Sequence, residues 1–205
     1  MPSAVTEEQL RSITLDPPRK RWTREECAAL EASGLLLGER LELVEGELIS
    51  MMGKKRPHTI TVTLIGDWLR QTFGKQFVNS ETPIDVAPED NPASEPEPDI
   101  IVLRRPHWEY QASNPLPSDV RLLVEVSDST LGFDLNRKAG LYARAEIVEY
   151  WVFDIAGRRL IVHRDPRAGR YQSVLEYAEQ EAVFPLAARD AAFQVRDAFY
   201  GPTAS

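Results

Sequence analysis

Apolar positions along the chain switch between a two-residue and a 3.6-residue rhythm, in the order helix, strands, helix, strands, helix, strands. Thr23-Arg24-Glu25-Glu26 predicts a capping box opening a helix that runs to about Ser33, with Gly34 ending it. Leu41–Val44 and Leu48–Met51 read as two strands around Glu45-Gly46, a hairpin signal. The next helix spans His58 to Phe73, its buried face predicted to hold Ile60, Leu64, Ile65, Trp68 and Leu69. Phe77 to Val86 reads as extended, and a proline- and acid-rich loop from Pro88 to Pro98 delivers the chain into a strand at 99–103. After a second proline-bearing loop, 106–118, come a strand at 120–126, a helix at 134–146 and strands at 148–153, 159–163 and 171–177. The stretch ending Phe193-Gln194-Val195 is short and mixed. No internal repeat is visible, and no linker is long enough to separate a pair of domains. The expected architecture is one α/β (α+β) domain with a central mixed β-sheet flanked by helices, over residues 21–200. Residues 1–20, closed by Pro17-Pro18, are expected to form a poorly ordered N-terminal segment.

Two charges break this pattern. Glu125 interrupts Val120-Arg-Leu-Leu-Val-Glu-Val126, otherwise a buried strand. Lys138 falls near the middle of the apolar arc formed by Leu135, Ala139, Leu141, Tyr142 and Ala145. Burying an unpaired carboxylate or ammonium costs roughly several kcal/mol, so the two charges are expected to meet each other or to share a metal ion and substrate. A third acid, Asp99, stands at the mouth of an apolar strand, where Pro98 forces its predecessor into extended backbone. Carboxylates on neighbouring strands offer oxygen ligands suited to Mg²⁺ or Mn²⁺, which keep waters for chemistry. A metal ion acidifies such a water, and a nearby ammonium steadies charge developing on phosphate. The chemistry implied is metal-assisted phosphodiester hydrolysis.

Composition narrows the options. The chain has 205 residues, 42% of them hydrophobic, enough for one domain with a real core. Its net charge of −8 argues against tight, non-specific coating of DNA, since Lys54-Lys55-Arg56 and Arg104-Arg105 are only local basic runs. It leaves room for an enzyme whose acids hold a divalent metal. One cysteine, Cys27, excludes an internal disulfide framework and a multi-cysteine zinc site; it reads as a small buried hydrophobe. No window approaches a membrane span, and the first residues lack the regions of a signal peptide, so a cytoplasmic location is expected.

An ordered series of motifs adds to this reading: Glu42-Leu-Val-Glu-Gly-Glu47, His58, Glu97-Pro-Asp99, Leu123-Val-Glu125-Val-Ser, Asp134-Leu-Asn-Arg-Lys138 and Glu149-Tyr-Trp-Val-Phe-Asp154. Together they resemble the bacterial Uma-two family of the restriction-endonuclease-like, PD-(D/E)XK superfamily, over roughly residues 20–200. The resemblance implies a restriction-endonuclease-like fold, DNA as substrate, and Asp99 and Glu125 as the two metal-binding carboxylates. The superfamily's usual lysine lies two residues after the second carboxylate, where this chain has Ser127; in the Uma-two pattern it moves to the following helix, here Lys138. An additional acid matches Glu42, with Glu47 as substitute. Their opposite strand parity lets only one of them face the site.

Plainer readings stand beside these. Glu42 could pair with Arg40, and His58 is as well explained by a structural helix terminus as by a substrate contact. His107 and His163 read as surface residues, and Ser127-Asp-Ser-Thr130 as a loop that opens a helix. Exposed apolar strand edges would favour a homodimer. Rival functions are a nuclease-fold binding module without turnover, motivated by the acidic balance and by Ser127, and a carboxylate-pair glycosidase, which leaves Lys138 unexplained.

Overall fold

The computed structural model describes residues 19–51 and 55–200. The chain's first expected segment, residues 1–20, therefore lies almost wholly outside the described residues, as does Lys54.

Helix α1 (Arg24–Ala32) opens on the expected box: the Thr23 hydroxyl accepts from the Glu26 amide, and the Glu26 carboxylate accepts from the Thr23 amide. Strands β1 (Leu41–Val44) and β2 (Glu47–Ser50) form an antiparallel hairpin. Its turn places Glu45 at φ 48° and Gly46 at φ 77°, the doubly positive pair that matches strand twist in a two-residue loop. A Cβ on Gly46 would also meet the Arg21 side chain at 2.8 Å, so glycine answers both demands.

Helix α2 (Arg56–Phe73) starts two residues earlier than expected, with Pro57 in its first turn. Its buried stripe is His58, Thr61, Ile65, Gly66 and Leu69, so of the expected apolar set only Ile65 and Leu69 are fully inward. Ile60 is exposed, and Leu64 and Trp68 are half-buried. The helix is rotated because its first turn turns His58 toward Asp99, a demand that apolar periodicity does not register.

Six strands form the main sheet: β3 (Val78–Ser80), β4 (Ile100–Leu103), β5 (Val120–Ser127), β6 (Glu149–Asp154), β7 (Arg159–Arg167) and β8 (Arg170–Ala178). They lie in sequence order across the sheet. β5 and β6 are parallel; the other neighbours are antiparallel. The extended stretch expected to Val86 ends at Ser80, because Glu81 adopts φ 52° and the chain leaves the ladder. Two further short strands, β9 (Ala182–Val183) and β10 (Phe193–Gln194), pair with each other.

A parallel pair needs a crossover, and here it is helix α3, over 131–144. It joins three stretches, Leu131–Phe133, a π-helical Asp134–Lys138 and Ala139–Arg144. The helix begins three residues before the expected start. The Ser127 and Thr130 hydroxyls both donate to the Asp134 carboxylate, at 2.5 and 2.7 Å, and fold the preceding turn into the helix.

The sheet's alternation sorts the core into two layers. Ile100, Val102, Leu122, Val124, Trp151 and Phe153 face α2 and the C-terminal segment. Ile101, Leu103, Leu123, Tyr150, Val152 and Ile161 face α3. Glu125 has the parity of Leu123, so it projects toward α3. In the first layer Phe193 sets its ring 4.9 Å from Trp68 and 5.8 Å from Phe153, clamping the C-terminal segment to the sheet. Phe193→Ala is expected to lower unfolding stability by about 3–5 kcal/mol, measured by urea denaturation.

Some surface assignments change. His163 is buried, not on the surface, because β7 continues past it and Tyr150 and Tyr171 cover its ring. Burial pushes its imidazole down to about 4, so it is neutral at physiological pH. Cys27 is half-buried. Trp151 is fully buried, whereas Trp108 is exposed. Edge strand β8 leaves Val174 and Leu175 exposed. No described helix is long and apolar enough to cross a membrane.

Candidate active site

Three layers of local structure bring the pattern-breaking charges together. Near its C-terminal end, β5 points Glu125 at α3. From the π-helical stretch of α3, Lys138 points back at the sheet. A π turn widens the helix by one residue, and such turns recur where a side chain must be re-aimed. The Lys138 Nζ donates to Glu125 Oε1 at 2.8 Å and lies 2.8 Å from Glu42 Oε1. All three groups are buried.

The hairpin also reaches α3 through ion pairs nearer its turn. Arg137 holds Glu47 at 2.6 Å and Glu45 at 3.2 Å, while Arg144 holds Glu45 and Asp90, both at 2.7 Å. Contrary to the parity expectation, Glu42 and Glu47 share one face of the hairpin, because the register across the two-residue turn pairs Glu42 with Ile49 and Val44 with Glu47. Glu42 joins Lys138, and Glu47 stays outside with Arg137. The Glu97 amide also donates to Glu42 Oε1, at 3.0 Å.

Asp99 stands beside Glu125 at the start of β4. Its own amide lies 3.4 Å from Glu125 Oε2, and its Oδ2 accepts from the Val126 amide at 2.8 Å. The His58 Nε2 lies 3.2 Å from the same Asp99 oxygen. Glu125 Oε1 additionally accepts from the Tyr142 hydroxyl at 3.1 Å. Asp134, also buried, completes the floor.

These acids outnumber their base. Glu42, Asp99, Glu125 and Asp134 are buried around one buried ammonium, and the imbalance shows at Glu125 and Asp134. Burial raises Glu125 well above the usual carboxylate range; Lys138 opposes that, and Asp99, Asp134 and Glu42 reinforce it. Burial also raises Asp134. For Lys138, burial pulls downward, but the Glu125 and Glu42 carboxylates outweigh it and leave the amine above its ordinary value. The amine is therefore charged, and the pocket as a whole attracts a further cation. Among the described residues, no three His, Cys, Asp or Glu side chains form a ready metal cluster. The donor set fits Mg²⁺ nonetheless, since that ion is commonly held by one or two carboxylates with waters and substrate phosphates filling the rest.

Glu42, His58, Asp99, Glu125, Asp134 and Lys138 line a cavity of ≈ 300 Å³ together with Ile49, Met51, Lys55, Asp128 and Phe133.

Residues 25–194 match the Uma2 family, described as "Putative restriction endonuclease". The chain belongs to the Uma2 family. A solved structure, described as that of "a putative nuclease belonging to DUF820 from Anabaena variabilis ATCC 29413", is similar with a TM-score of 0.60 and 15% identity. The match covers 87% of this chain and 97% of that one. At that identity the likeness speaks for the fold, and the fold is the restriction-endonuclease-like α/β architecture expected from the sequence. No curated protein matches the chain.

Within this Uma2 chain, the four residues singled out from sequence, Glu42, Asp99, Glu125 and Lys138, lie in one pocket. Sequence reasoning overlooked Asp134, which lines it, and Tyr142, which donates to Glu125 from outside the lining. Asp134 carried a readable signal, an acid one helical turn ahead of Lys138. Tyr142 lies a turn beyond Lys138 in the same apolar arc and gave no sign that its hydroxyl serves Glu125.

Proposed function

We propose that this Uma2 protein is a Mg²⁺- or Mn²⁺-dependent endonuclease that hydrolyses DNA phosphodiester bonds with a PD-(D/E)XK-type site. The observation that carries the reading is the Lys138 amine held 2.8 Å from both Glu125 and Glu42, beside Asp99. Asp99 and Glu125 would hold the metal, which when bound acidifies a water and neutralises charge on the phosphate. Lys138, kept charged by its two carboxylates, orients the attacking water and steadies the extra negative charge on the phosphate during attack. Glu42 fixes the amine's position from the hairpin. Tyr142 holds Glu125 in its rotamer by donating to the oxygen that Lys138 also uses. His58 does the same for Asp99 from α2.

Plasmid nicking tests this. Wild type is expected to nick in Mg²⁺ or Mn²⁺ and to stop in EDTA, while Asp99→Asn stays at the EDTA background. Calorimetry is expected to show Mn²⁺ binding that Asp99→Asn abolishes. The acidic balance and Ser127, standing where the superfamily's usual lysine would be, favour a second reading, an inert nuclease-fold binding module. Metal-independent background rates in wild type, together with no heat of metal binding, would select it.

A further inference from the structure

The lining of the active pocket is of two kinds. Beside the charged Glu42, Asp99, Glu125 and Lys138 stand the apolar Ile49, Met51 and Phe133, all half-buried. Ile49 is the direct cross-strand partner of Glu42, so the hairpin presents an acid and an alkyl group on one face. Phe133 stands on the first turn of α3, and the Arg137 guanidinium lies 5.5 Å from its ring centroid, holding it in place. A duplex backbone offers only phosphate and sugar to such a pocket, which leaves the uncovered surface of three apolar side chains without a counterpart, although Ile49 and Phe133 also pack against the core. An unstacked base does have one: aromatic and alkyl surface is what a nucleobase face seeks outside a helix.

Charge points the same way. Duplex binding draws its affinity from lysines and arginines that displace counterions along two backbones. The two described lysines that line this pocket are already matched, and so are three arginines outside its lining. Lys55 pairs with Asp128 at 3.0 Å, Arg24 with Asp85 at 2.7 Å, and Arg137 and Arg144 with the hairpin and loop acids. The chain carries a net charge of −8. The cavity, ≈ 300 Å³, is at the small end of ligand pockets.

We propose that the substrate is an unpaired DNA strand, a single strand, flap or end, whose base next to the scissile phosphate packs on Phe133, Met51 and Ile49. This deepens the nuclease reading and rests on it for the position of the phosphate. The packing replaces the missing basic stripe as the source of affinity and sets the phosphate over the carboxylates.

Fluorescence anisotropy of a labelled oligothymidine, and of the same strand annealed to its complement, tests the idea with Ca²⁺ in place of Mg²⁺. The single strand is expected to bind at least about tenfold more tightly than the duplex, the scale of one stacked base. Phe133→Ala is expected to erase most of that ratio, and Phe133→Trp to keep it. Because Phe133 also touches the core, its melting temperature is checked, and Met51→Ala serves as a second variant that lowers the ratio. Equal or tighter duplex binding by wild type would overturn the inference, as would a ratio that neither alanine variant moves. Cleavage in Mg²⁺ separates this from the underlying reading. Cutting of duplex alone upholds the nuclease and sinks the unpaired substrate. No cutting of either sinks the nuclease and leaves the binding ratio to decide the ligand.

Discussion

Glu125→Gln is expected to abolish nicking, by at least about 10²-fold, and yet to melt at a higher temperature than wild type at pH 7–8. The activity loss follows from removing a carboxylate that would hold the metal. The stability gain follows from what burial does to that same group. Glu125 is raised by burial first, and Asp99, Asp134 and Glu42 push it further, against the opposing pull of Lys138. A carboxyl whose folded value lies above its unfolded one favours the native state most when protonated. That contribution is complete below about pH 4.5 and is lost as pH rises through the folded value. Glutamine has no proton to lose, and its amide oxygen still accepts from Lys138. The variant and wild type should therefore coincide near pH 4 and diverge as pH rises, by about 1 kcal/mol or roughly 2–4 °C for a chain of this size. Thermal melts from pH 4 to 8 measure it. A variant that melts lower than wild type at pH 8 would mean that Glu125 stabilises the fold as an ion-pair partner.

Lys138→Met is expected to do the opposite to stability while also costing activity. Methionine fills the same buried volume but leaves Glu42 and Glu125, each 2.8 Å from the amine, without a counter-charge. Removing one partner of a buried ion pair costs about 3–5 kcal/mol, and removing one preorganised charge from a phosphoryl site costs about 10²–10³ in rate. The deficit should shrink toward acid pH, where Glu125 takes up a proton in place of the missing ammonium. In wild type the contribution of Lys138 runs the other way. Its folded value lies above the ordinary one, so the stability it brings is complete below about pH 10.5 and fades only beyond. Urea unfolding at pH 5 and pH 8, with nicking rates beside it, checks both effects. Equal stability of variant and wild type at pH 8 would show that the two acids need no cation.

The contrast between these variants explains how much could be read from sequence. Glu125 and Lys138 were legible because each violates a strong local period, and burial of charge leaves few alternatives. Asp99 was legible from the proline before an apolar strand. Parity misleads on Glu42 and Glu47, because it does not carry across the turn: both lie on the face toward α3, and only their partners, Lys138 for Glu42 and Arg137 for Glu47, tell them apart. What stayed hidden depends on partners distant in the chain. Asp134 looks like a helix-opening acid until Ser127 and Thr130 wrap onto it. His163 looks like a strand end until β7 continues and two tyrosines close over it. The buried face of α2 was misread at Ile60 because polar His58 and Thr61 occupy the inward positions. Hydrophobic period locates cores well and locates pockets only by its failures.

Placing the amine on a crossover helix has a consequence for how this site can change. In a strand, side-chain direction repeats every second residue, and pairing with neighbours holds the register firm. On α3, each residue gained or lost between Ser127 and Lys138 would swing the ammonium by about 100° around the axis. The π-helical stretch at Asp134–Lys138 already absorbs one such offset. A single-codon insertion or deletion there could thus silence the pocket, or restore it, without exchanging one chemical group for another.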